Sequence, residues 1–407
     1  MAVRADGRWW GVVKNETKLD TEIGVDGVNF YRDVTDAGDT DTITNLTIKN
    51  CTIDLYGQSI YGINSTRKIY NTRIENNTIE LHANTDNAND AFNAIGLYGD
   101  SEYFNIIGNR VLGSGHSAIG VSMAENGVVA YNYVYDVLIT GEAGIEVEYK
   151  DSHGSEDIAS NGVKVVCNYV YNCNYGILVT ERGDSATSYA PYNILIDGNT
   201  IKDSVVNDIF VVSSFSSGTD YTSQIKDVII SNNYIDSTAT DGGIRVYDAK
   251  DVKIIGNIIK NMVNGIKIGR DSNIYPTGNY DIINNNISDV TDVGLHIEST
   301  KANFRINNNN IINPTGMGVF LSTITGGDNW EVNNNFVDGA TNGYYFQSGR
   351  TILLGSVLTG NRAINCSSRG FSMRFDSSII KNNISINCTT ADNLESTNGI
   401  ISDNLDL

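Results

Sequence analysis

The sequence predicts an all-β fold: a single-stranded right-handed parallel β-helix, a solenoid of about 13 coils with an N-terminal cap. Three observations predict it. The first is an asparagine column. The pattern Asn-x-Ile/Val occurs at Asn77, Asn109, Asn132, Asn168, Asn199, Asn233, Asn257, Asn285, Asn309 and Asn335, with weaker copies at Asn50, Asn361 and Asn383. The second is its period, with steps of 22 to 36 residues, the range of solenoids, propellers and arrays. The third is a following column of a small residue and then alternating apolar positions, as in Gly144-Ile-Glu-Val147, Gly243-Ile-Arg-Val246 and Gly318-Val-Phe-Leu321.

Both columns alternate with period two, which is a strand signal. A leucine-rich repeat needs a leucine-dominated consensus, and a propeller needs four strands in about 40 residues. Neither pattern is present. Parallel crossovers favour the right-handed form, and successive coils stack about 4.8 Å apart. Asparagines in one register then form a ladder of side-chain amides. Forty glycines and three prolines suit many tight corners and unbroken strands.

Residues 1–44 do not fit the repeat and are expected to cap the solenoid, which occupies 45–407. The opening Met1–Trp10 lacks a hydrophobic signal core. Either a signal has been removed or export follows another route, such as assembly into a virion. The expected location is extracellular, on a cell or virion surface, with a homo-oligomer in view (a trimer if virion-associated). The formal charge of −20 argues against nucleic acid and anionic membranes. No apolar run approaches the roughly 18 residues that span a bilayer. Five cysteines are too few for a disulfide framework. Cys366 and Cys388 fall in one register a coil apart, within disulfide range, but a buried hydrophobe is the plainer reading.

Function must come from the outward face, because the fold does not specify it. In the second column the residues between the apolar ones point outward. They are plain at first (Gly96, Gly120) and then charged and aromatic. Glu146, Glu148, Lys150 and Arg182 come first, followed by Arg245, Tyr247, Lys267, His296 and Glu298. They turn bland again at Phe320 and Ser322. The longest excursions, 151–161, 183–193 and 214–224, follow these strands and are expected to wall a groove from Glu146 to His296. They carry Tyr189, Tyr192 and Tyr221, whose flat faces suit sugar rings. A polysaccharide is the expected partner.

Glu146 and Glu148 lie two apart on one strand, with Cα atoms roughly 6.5–7 Å apart. They read as two carboxylate ligands for Ca²⁺, as an acid/base pair or as solvated surface glutamates. Lys150 and Arg182 bring cations to the same face. A like charge lowers a lysine pKa and makes it a better base, and arginine clamps a uronate carboxylate.

The chain resembles the right-handed β-helix superfamily of proteins that act on or bind carbohydrates. Glu146-Val-Glu148-Tyr-Lys150 with Gly176-Ile-Leu-Val-Thr-Glu-Arg182-Gly183 resembles two coils of the chondroitinase B and alginate lyase family. The resemblance implies Glu146 and Glu148 as calcium ligands, Lys150 as base and Arg182 as carboxylate neutraliser. Here the lysine follows the second glutamate sooner, and the arginine is shifted by one. Tyr149-Lys-Asp151-Ser-His153 is similar in residue types to the alginate epimerase motif and adds His153 to the catalytic candidates. The expected activity is glycan cleavage, with elimination favoured over hydrolysis of the phage tailspike type. The alternative is a glycan-binding or structural surface or virion fibre.

Overall fold

The computed structural model describes residues 12–13, 18–22, 28–30, 43–56, 62–65, 68–82, 93–99, 101–149, 159–181, 190–213, 224–269, 277–298, 302–322, 325–328, 330–346, 352–376, 378–390, 392–397 and 399–407. Among them there are strands and turns and no helix. The chain is a right-handed parallel β-helix. It divides into two compact units, the first holding residues 1–205 and 213–225, the second 206–212 and 226–407.

Each coil gives one short strand to each of three parallel sheets. In the first unit a coil consists of Val128–Ala130, Tyr133–Val137 and Ala143–Tyr149. Like residues stack in register: Val129 on Val165, Val134 on Val170, Ile145 on Ile177. In the second unit a coil consists of Lys250–Ile255, Ile258–Lys260 and Ile266–Ile268. There Ile254 stacks on Ile282, Ile259 on Ile287 and Ile266 on Leu295. The stacked inward residues are fully buried. A one-residue slip would turn every inward side chain outward, so the apolar alternation fixes the register.

The corner between the first and second strands carries the ladder. Asn257 is typical. Its backbone N–H donates to Asn285 Oδ1 at 3.0 Å, and its Nδ2 donates to the same oxygen at 2.9 Å and to the Ile230 carbonyl at 3.0 Å. Each amide therefore satisfies buried backbone groups that a corner would otherwise leave unpaired. The residue just before each ladder position is left-handed: Asn76, Gly108, Tyr131, Cys167 and Gly198 in the first unit, Asn232, Gly256, Asn284 and Asn308 in the second. Asparagine and glycine tolerate that conformation best, which explains the recurring Asn-Asn and Gly-Asn pairs. This corrects one reading. Asn50 is the left-handed residue (φ 54), and the ladder position is Cys51, whose N–H donates to Asn77 Oδ1 at 3.0 Å. Asn361, Asn383 and Asn404 continue the ladder, with Asn383 N donating to Asn404 Oδ1 at 3.1 Å.

Four strands lie within 1–44 among the described residues, and the last of them, Ile43–Thr44, pairs with Ile69–Tyr70. Val12–Val13, Lys18–Glu22 and Val28–Phe30 pair with Thr47–Lys49, Thr52–Tyr56 and Ile63–Ser65. In the second unit aromatic rings replace part of the aliphatic core. Tyr280 stacks on Phe304 at 4.8 Å, and Phe304 meets Trp330 at 4.4 Å. Their polar ends are satisfied: Trp330 Nε1 donates to the Ala302 carbonyl at 3.1 Å. All five cysteines are free thiols.

Candidate functional site

The outward residues of the third sheet form one column in each unit. In the first unit it runs Asn64, Gly96, Gly120, Glu146, Leu178. In the second it runs Phe210, Arg245, Lys267, His296, Phe320, Tyr345. Rungs stand about 4.8 Å apart, so the second column presents one aromatic or charged group per rung over six coils.

In the first unit the column is covered. Asn64, Gly96, Gly120, Glu146 and Leu178 are all buried. Tyr98 lies across the glycines. A Cβ on Gly96 would fall 2.5 Å from Tyr98 Cε2, and one on Gly120 would fall 2.6 Å from the Tyr98 hydroxyl. Glu146 and Glu148 project from the same side of Ala143–Tyr149, at 0% and 1% exposure. The reading of them as solvated glutamates is therefore corrected. Glu146 Oε2 accepts from Ser117 Oγ at 2.5 Å. The Ser117 hydroxyl also lies 3.2 Å from Glu142 Oε2, and His116 Nδ1 lies 2.9 Å from that same oxygen.

In the second unit the column is half-open. Phe210, Arg245, Lys267, Phe320 and Tyr345 are half-buried, while His296 retains 8% exposure. Lys267 Nζ stands 3.2 Å from Glu298 Oε2. His296 Nε2 stands 3.5 Å from Glu298 Oε1 and 3.0 Å from Ser322 Oγ. Glu298 and Ser322 share the next outward register, so the three groups meet by strand geometry alone. The Arg245 guanidinium lies over the Tyr247 ring at 4.1 Å and pairs with Asp241. Phe210 meets Tyr247 edge-on at 5.2 Å. The His296 ring stacks on Phe320 at 4.6 Å, and Phe320 meets Tyr345 at 5.6 Å.

The structure thus brings Arg245, Tyr247, Lys267, His296 and Glu298 onto one face of the second unit. Glu146 and Glu148 belong to the first unit. Lys150, His153, Arg182, Tyr189 and Tyr221 lie outside the described residues, as does most of the three expected loops. Tyr192, expected in the second of them, begins the first-sheet strand Tyr192–Asp197. Two features were missed by sequence reasoning. The second column continues through Phe320 to Tyr345, where the sequence reads as bland. His116 and Glu142 stand three residues before Ile119 and Ile145, which pair. Aligning those two coils residue by residue reveals the match.

No family model and no curated protein matches the chain. Solved structures do. The surface protein and adhesin PfbA of Streptococcus pneumoniae is 13% identical, with a TM-score of 0.49 over 90% of this chain and 91% of that one. The pre-mature gene product 12 of bacteriophage phi29 is 13% identical, with a TM-score of 0.52 over 85% of this chain and 54% of that one. An exopolygalacturonase from Thermotoga maritima is 10% identical, with a TM-score of 0.47 over 74% of this chain and 77% of that one. At these identities the likeness is one of fold.

Proposed function

We propose that this protein binds an acidic polysaccharide along the third-sheet column of its second unit and cleaves it by elimination. The observation that carries the reading is the single register Phe210, Arg245, Lys267, His296, Phe320, Tyr345. An aromatic–cation–cation–imidazole–aromatic–aromatic row suits an extended chain of sugars better than a compact metabolite. Rings at both ends pack on sugar faces. Arg245 and Lys267 neutralise a uronate carboxylate, which acidifies the adjacent C5 proton. His296 Nε2 takes that proton, C4=C5 forms as the C4–O bond breaks, and the proton passes to the departing oxygen. Glu298, 3.5 Å from His296, stabilises the imidazolium that forms. Such a substrate fits the expected location outside the cell or on a cell or virion surface.

The net charge of −20 does not exclude a polyanion. Beyond about 8 Å salt screens the rest of the molecule at physiological ionic strength, so the local cations decide. The test is a panel of acidic and neutral polysaccharides, followed by ultraviolet absorbance of unsaturated uronates and by reducing ends. Elimination raises both signals. Reducing ends without absorbance would replace the lyase by a hydrolase. Silence on a broad panel, with retained binding, would leave a glycan-binding surface protein.

A further inference from the structure

We propose that His116, Glu142 and Glu146 form a binding site for a divalent transition metal of the zinc class. The ligand atoms of these three side chains all lie within 4.8 Å of one another, and they make the one such group among the described residues. A metal 2.0–2.2 Å from each donor bridges separations of up to about 4 Å, so small side-chain adjustments close the set. The site belongs to the first unit and does not rest on the glycan reading.

Coil geometry builds the site. His116 and Glu142 occupy the same position on successive coils, because Ile119 pairs with Ile145 three residues further on in each. Glu146 enters from the strand Ala143–Tyr149, one helical coil rung beyond the Gly120 it pairs with. Ser117 sets the carboxylates. Its Oγ accepts from the Ala143 N–H at 3.1 Å and lies 2.5 Å from Glu146 Oε2 and 3.2 Å from Glu142 Oε2. One hydroxyl proton serves one carboxylate at a time. Outer hydrogen bonds of this kind orient metal ligands.

The charge balance favours a cation. Two carboxylates converge at 9% and 0% exposure, and a cation between them offsets their mutual repulsion. His116 Nδ1 lies 2.9 Å from Glu142 Oε2, so one ion meets both donors. His116 keeps 21% side-chain exposure, which leaves a way in.

The donor set selects the metal. Calcium takes six to eight oxygen ligands at roughly 2.3–2.6 Å, and imidazole suits zinc, copper, iron and nickel. One imidazole nitrogen and two carboxylates are donors of the kinds that zinc takes. Glu148, the expected calcium partner of Glu146, is not in the group.

The test is metal titration of the full chain after treatment with chelator and dialysis. Calorimetry with Zn²⁺ and with Ca²⁺ is read beside Co²⁺ visible absorption and thermal melting. One equivalent of Zn²⁺ is expected, with visible Co²⁺ bands, a raised melting temperature by mass action, and weaker binding as pH falls. His116→Ala and Glu142→Gln should each lower zinc affinity by ~100-fold, by removal of a ligand. His296→Ala, in the second unit, should not change it. Circular dichroism confirms folding, and His116→Gln stands in if His116→Ala does not fold. Unchanged zinc affinity in the folded His116 variants would overturn the site, and so would binding of Ca²⁺ in preference to Zn²⁺.

Discussion

The outward column of the third sheet carries a different surface in each unit. In the first unit it holds Asn64, Gly96, Gly120, Glu146 and Leu178, all buried. In the second it holds Phe210, Arg245, Lys267, His296, Phe320 and Tyr345, mostly half-open. The inner faces beneath them do not differ in kind. Ile95, Ile119, Ile145 and Ile177 stack in one; Ile244, Ile266, Leu295 and Val319 stack in the other. The repeat thus constrains what points in and leaves what points out free to carry function.

The sharpest check of a shared interior uses the cysteines. Cys173 Sγ lies 3.2 Å from the place of a Cβ on Gly144, and Cys366 Sγ lies 3.3 Å from that on Gly343. These are equivalent sites under the two columns. Burial pushes the Cys173 thiol up to about 12 and raises Cys366 as well. Cys167 is exposed. Alkylation at pH 8 in the native state should therefore spare Cys173 and Cys366 by at least ~1000-fold relative to a free thiol. The same shift has a stability sign. The folded thiols hold their protons where unfolded ones ionise, so stability falls as pH rises above the ordinary thiol range. Labelling of Cys173 or Cys366, but not both, at the rate of the exposed Cys167 would mean that the two interiors are not alike.

The next effect separates the outer surfaces. Arg245→Ala and Lys267→Ala should each lower glycan cleavage by at least ~100-fold, because each removes charge stabilisation at the uronate. If binding and cleavage survive with both cations gone, the second column is not the site.

The interior was legible from sequence because burial leaves a periodic mark. The asparagine ladder and the alternating Ile and Val positions follow from strand period and from corners whose backbone groups need partners. The outer face leaves no such mark. Glu146 reads like Arg245, since both are charged and both alternate with apolar residues. What separates them is burial: Glu146 is fully buried and hydrogen-bonded to Ser117, whereas Arg245 is half-buried over Tyr247. Phe320 reads as bland beside Ser322, yet the coils stack it between His296 and Tyr345. The pairing of His116 with Glu142 was legible in principle, but only after coil alignment to the residue. The loops and cations that carry the lyase resemblance, Lys150 and Arg182 among them, lie outside the described residues.

A middle-sized effect tests the cover over the first column. Gly96→Val places a Cβ 2.5 Å from Tyr98 Cε2 and 2.9 Å from Asn64 Oδ1. Overpacking of this kind destabilises by about 1–3 kcal/mol. Gly96→Val with Tyr98→Ala should recover part of that loss, because the clashing ring is gone. Thermal or urea melts of the two variants measure it. An unchanged melt for Gly96→Val alone would mean that Tyr98 does not lie over the glycines, and the contrast between the columns would weaken.

The smallest effect concerns the far end of the second column. Phe320 stacks on His296 at 4.6 Å, and Tyr345 meets Phe320 at 5.6 Å from one rung further along the column. The two rings therefore predict different kinetics. Tyr345→Ala removes a sugar-stacking surface that acts equally in the ground and transition states. An aromatic contact of this kind contributes about 0.5–1.5 kcal/mol, so KM should rise roughly 2- to 10-fold with kcat unchanged. Phe320→Ala should raise KM similarly and also lower kcat, since the ring that holds the His296 imidazole is lost. Phe320→Leu keeps apolar packing but no stacking partner, and should restore kcat more than KM. A Tyr345→Ala enzyme with altered kcat, or a Phe320→Ala enzyme with kcat untouched, would show that the column does not grade from binding at its end to chemistry at His296.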